Sequence, residues 1–299
     1  MIYRRHCAVL ANRVFLVQDQ WIVDNSKLAI NRYEGPGAVE GHDNPLPSLM
    51  MTRDEADIEY RRLHPLIYGT DGINLAQNNR ARVVDGKIIP HLARWIQGGT
   101  TTSQRLWVDF PLELQEDTVA RIAALNMIYI VAKADAPFLS FICRLPRQSE
   151  LTDTQTPVGA GLLSVVYGLI LQLLRFKPPE DGFRFDRGTF STLSGDMGCW
   201  DTALDLLDSL LEHTPVISHC IIHGLNELEM GEGTVRCQEL SKILLGHSSR
   251  PRILFSILFT SSGHSRALTS VLGEKDRASS FETMKAIEKR GLDPNYMKI

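Results

Sequence analysis

Residues 219–233 read HCIIHGLNELEMGEG. Cys220, Ile221 and Ile222 stand between two histidines, and a polar, glycine-bearing turn follows. A short apolar run bounded by turn residues is the pattern of a strand buried on both faces. The strand as a whole reads PVISHCIIH (Pro215–His223). Similar runs are RLWVDF (Arg105–Phe110), PFLSFICRL (Pro137–Leu145) and RILFSILFT (Arg252–Thr260). Helical patterns alternate with them: Glu116–Ala134, the uncharged stretch from Thr154 to Leu174, Cys199–Thr214, Val235–His247 and His264–Leu272. Alternation of this kind predicts an α/β fold with a mainly parallel sheet covered by helices on both faces. Sites in such sheets lie at the carboxyl ends of the strands. Here those ends follow Phe110, Cys143, Ile222 and Thr260.

The bulk numbers exclude several classes. The chain has 299 residues, is 43% hydrophobic and 22% charged, and carries a formal charge of −3. That is ordinary for a chain able to bury a core and gives no basic footprint for nucleic acid. Cysteines at 7, 143, 199, 220 and 237 form no CxxC pair, which argues for reduced thiols in an intracellular, cytoplasmic setting. The first twenty residues carry Arg4, Arg5 and Arg13 and no acid before Asp19, the composition of a weak mitochondrial-type presequence.

Thr154–Leu174 is long enough to cross a membrane. Its small or polar stripe, Gly161, Ser164, Gly168 and Gln172, instead predicts a helix packed closely on the sheet, starting after Pro157 and Gly159. No membrane association is expected. Residues 1–80 read as an irregular or partly disordered N-terminal region, with a charged helix over Thr52–Ile67. Residues 81–275 form the main domain, and 276–299 a C-terminal helix and tail.

Two local patterns bear on chemistry. Gly263-His264-Ser265-Arg266-Ala267 follows a buried strand and nearly matches the G-x-S-x-G elbow, which would make Ser265 a hydrolase nucleophile. No histidine follows it, and without a base a serine hydroxyl is a weak nucleophile. His219 and His223 are four apart, but on a strand that spacing is about 13 Å, too far for one metal ion. No metal site is expected.

The order of motifs carries more. Apolar strand, His223-Gly224-Leu225-Asn226-Glu227-Leu228, helix, then a buried strand ending in Thr260-Ser261-Ser262 with Arg266 beyond: over residues 100–275 this resembles STAND-type P-loop NTPases of the NACHT kind, in particular divergent members abundant in fungi. In that family the third strand ends close to D-G-L-D-E-L, so four of six positions match and both aspartates are lost, at His223 and Asn226. The resemblance implies a P-loop NTPase-like three-layer sandwich and a protein that oligomerises in signalling.

It also implies a G-x-x-x-x-G-K-[ST] loop after the first strand. PLELQEDTVARI, which begins at Pro111, supplies neither lysine nor glycine in any register, and places Gln115, Glu116 and Asp117, or Glu116, Asp117 and Thr118, at the last positions. Glu113, Glu116 and Asp117 fall where the phosphates would lie. Glu116 and Asp117 are expected to cap the following helix themselves. His223 offers nitrogen where Mg²⁺ prefers oxygen. Glu227 survives at the place of the family's water-activating acid and is the candidate catalytic residue.

The expected function is therefore a catalytically inactive STAND/NACHT-like interaction or regulatory module, with a protein partner or a second copy and no cofactor. The vestigial nucleotide site comprises Thr118, His223, Gly224, Asn226, Glu227 and Arg266. The alternative is weak ATP or ADP binding, with Arg121 or Lys133 supplying charge and Arg266 sensing a γ-phosphate.

Overall fold

The computed structural model describes residues 53–78, 88–99, 102–113, 115, 117–176, 187–251 and 253–280. The expectations for the presequence-like N-terminus, for Glu116 and for the tail beyond 280 lie outside the described residues. In chain order the elements are α1 (Arg53–Leu63), α2 (Ile73–Asn78), α3 (Ile89–Gly98), β1 (Arg105–Phe110), α4 (Val119–Lys133), β2 (Phe138–Ile142) and α5 (Pro157–Phe176). They continue with α6 (Arg187–Thr192), α7 (Trp200–Glu212), β3 (His219–His223), α8 (Gly233–Ser248), β4 (Ser256–Ser262), α9 (Arg266–Val271) and β5 (Arg277–Ser279).

The strands form one sheet in the order β2-β3-β4-β1-β5, with every strand pair parallel. β5 is an addition to the expected four. It lies inside the stretch expected to be helix and tail, so the sheet runs past residue 275. Its three residues pair with Trp107, Val108 and Asp109. The buried Asp109 carboxylate accepts from the Arg277 guanidinium at 2.7 Å and so ties the edge strand to β1.

Side chains divide by the strand's period of two. Trp107, Cys220, Ile222, Ile257 and Phe259 face α5, α7 and α8. Leu106, Val108, Ile221 and Leu258 face α3 and α4. These are the two covered faces that the apolar strands require.

α5 passes the length and composition test for a membrane span, yet it is 83% buried against the rest of the chain. The helix includes Pro157 and Gly159 instead of starting after them. Proline is well placed in a first turn, where its missing N–H costs nothing, and Thr156 caps that turn by accepting from Gly159 N at 3.1 Å. The small stripe faces the β2 side of the sheet. A Cβ on Gly168 would come within 2.3 Å of the Phe141 ring. Gln172 donates to Ser140 O at 2.8 Å and accepts from Ser140 N at 3.0 Å. Thr70 pairs with Ile142 on the same edge. An amide side chain and a bridge thus occupy backbone groups that an exposed edge would offer to another chain.

Gln172→Leu leaves both Ser140 backbone groups without that partner and is expected to lower unfolding stability by about 2 kcal/mol. Gly168→Val, driven into Phe141, is expected to cost about 1–3 kcal/mol. Urea unfolding followed by tryptophan fluorescence reads both; an unchanged midpoint in either variant would contradict this packing.

Candidate functional site

The chain leaves β1 toward β2, three places away across the sheet, and leaves β4 in the opposite direction toward β5. Such a reversal opens a crevice at the carboxyl ends of the neighbouring strands, here β1 and β4. The loops after β1, β3 and β4 meet there.

Ser262, the last residue of β4, holds them together. Its hydroxyl accepts from Glu113 N at 2.9 Å and donates to Pro111 O at 3.2 Å. Its carbonyl accepts from the Asn226 amide at 2.8 Å. Gly263 N donates to Phe110 O at 2.8 Å. Gly224 turns the chain out of β3 at φ +78°, a conformation that favours glycine, and its N–H donates to Thr260 O at 2.9 Å.

α4 starts at this edge. Thr118, not Asp117, is its cap, accepting through Oγ1 from Arg121 N at 3.1 Å. The second acceptor is Glu113, whose Oε2 takes the Val119 N–H at 2.8 Å. The expectation that Asp117 caps the helix is corrected accordingly, and that for Glu116 lies outside the described residues. A hydroxyl one residue before the helix satisfies a first-turn amide with less chain strain than a carboxylate two residues back. A carboxylate of the chain itself, that of Glu113, does sit on the first amide of the helix, Val119 N.

His223 is 3% exposed and lies between the sheet and α4. Its Nδ1 shares a hydrogen bond with Thr260 Oγ1 at 2.9 Å. Burial, with the Arg121 guanidinium adding to it, pushes its pKa down to about 3, so the ring is neutral near pH 7. Glu227 stands at the solvent rim, its N–H bonded to Gly224 O at 3.0 Å. Partial burial pushes its carboxyl above the usual range, and Arg121 pulls the other way. Asn226 spends its amide N–H₂ on Ser262, while its buried Oδ1 has no hydrogen-bond partner.

The sequence-derived residues Thr118, His223, Gly224, Asn226 and Glu227 therefore converge on one edge. Arg266 is on the same edge but exposed, and its contact is through its backbone N–H, which donates to Glu229 Oε2 at 2.7 Å. Lys133 is corrected: it ends α4, about 21 Å along the helix axis from Val119, and sits over the Tyr129 ring. Arg121, in the first turn, is the cation that reaches His223 and Glu227 electrostatically.

Ser265 is fully buried and caps α9, accepting from Leu268 N at 3.0 Å, while its hydroxyl donates to Glu229. The elbow-like sequence is thus a helix cap, and its hydroxyl is already engaged with a carboxylate. Glu229 is the residue that sequence reasoning missed. The signal was a serine directly before an apolar helix, which reads as an N-cap before it reads as a nucleophile. Among the described residues no cluster of three or more His, Cys, Asp or Glu could hold a metal ion. His219 and His223 lie on one strand, as the spacing required.

A cleft of about 350 Å³ opens at the other end of the sheet, beside Gln104 and Arg105. It is a full strand length from these loops and does not belong to them.

Three buried histidines make the fold acid-sensitive. Burial lowers His219 from 6.5 to about 4, His223 to about 3 and His247 to about 4; for His247 Arg250 adds to the lowering and Glu212 opposes it. Unfolded imidazoles take up protons near 6.5, while the folded ones stay neutral until the pH is well below that. The unfolded state therefore binds more protons in this window, and stability falls as the pH drops from 6.5 toward 4, by up to about 1.4 kcal/mol per pH unit for each histidine. Both His247 ring nitrogens are buried without partners, and the ring packs edge-on to Phe255. His247→Phe is expected to be neutral or stabilising at pH 7 and to flatten the pH dependence by about one proton. Urea midpoints measured from pH 7.5 to about 4.5 check this.

No protein-family model, curated protein or solved structure matches the chain.

Proposed function

We propose that this chain is a catalytically inactive STAND/NACHT-like domain, of P-loop NTPase-like architecture, that serves as an interaction or regulatory module in the cytoplasm. The observation that carries the reading is the Glu113 carboxylate on the Val119 amide. A phosphate at the start of α4 needs those amides and a nearby cation. It meets instead a fixed negative charge at the same amides, and like charge there opposes a polyanion.

The strand order supports the reading, because it sets β1 beside β4 with the β3 loop close by. The fates of the two aspartate positions support it too. His223 is turned inward onto Thr260, and Asn226 is spent on tying two loops. Glu227 keeps its solvent access. The free thiols Cys143, Cys199, Cys220 and Cys237 are all buried, which fits a reducing compartment. The partner is a protein or a second copy of the chain.

A second reading rests on Arg121, whose charge reaches both His223 and Glu227. It makes the edge a weak ATP or ADP site without fast turnover.

With ATP and Mg²⁺ the purified chain is expected to release no phosphate above background, and Glu227→Gln to leave that background unchanged. Turnover that disappears in Glu227→Gln would overturn the inactive reading. Glu113→Ala is expected to lower stability by about 1 kcal/mol, the scale of a lost helix-terminal acceptor, with circular dichroism melts as the measurement.

A further inference from the structure

We draw no further inference here: the strongest candidate, the cleft at the amino-terminal edge of the sheet between α3 and the turn before β5, carries nothing, because the Arg105 guanidinium is engaged with Leu245 O, Ser248 and Ser249 at the end of α8 and no observation gathers the remaining cations, Arg94 and Lys275, around a ligand.

Discussion

A parallel sheet has to be buried on both faces, and this requirement decides where every polar residue of the strands can go. Along β3, Cys220 and Ile222 point to the α5, α7 and α8 side, and Ile221 to the α3 and α4 side. His219 and His223 share the parity of Ile221. Each is therefore driven beneath a helix, where it can be accommodated only as a neutral ring. His219 packs edge-on to Trp95 and shares a hydrogen bond with Ser218. His223 is matched to Thr260 on the neighbouring strand by the parallel register. At the β2 edge Gln172 of α5 reaches the Ser140 backbone, so the strand finishes its hydrogen bonding on a helix side chain.

The carboxyl edge is satisfied from within. Glu113 takes the first amide of α4, Ser262 joins the loops after β1 and β3, and Glu229 takes both the Ser265 hydroxyl and the Arg266 amide. In a phosphate-binding crevice such donors wait for the ligand. Here most are bonded to the chain's own oxygens, and two of those acceptors are carboxylates. This internal bonding orders the loops and raises the electrostatic cost of admitting a polyanion. An edge of that kind is suited to presenting a fixed surface.

Long elements with clear periodicity were legible in the sequence. The four apolar strands, α4, α5, α7 and α8 all appear where the patterns put them, and the small stripe of α5 packs as its spacing implied. The elements that escaped are short or held by side chains distant in sequence. β5 has three residues and depends on an ion pair between positions 109 and 277, which no local window contains. The start of α4 departs from expectation because two adjacent acids, Glu116 and Asp117, outweigh one threonine in the sequence, while the backbone favours the hydroxyl at the residue just before the helix. At the candidate site, convergence of Thr118, His223, Gly224, Asn226 and Glu227 followed from topology once the strands were known. The inward turn of His223 followed from strand parity. The roles of Glu229 and Ser262 did not, because each acts across loops more than thirty residues apart.

The account turns on whether the amides at the start of α4 are available to an anion. Calorimetric titration of the full chain with ATP and with ADP, each with and without Mg²⁺, tests this directly. The account predicts no saturable heat at about 1 mM nucleotide in any of the four titrations. Saturable binding that is lost in the Arg121→Ala variant would contradict it, by showing that the crevice takes phosphate despite Glu113.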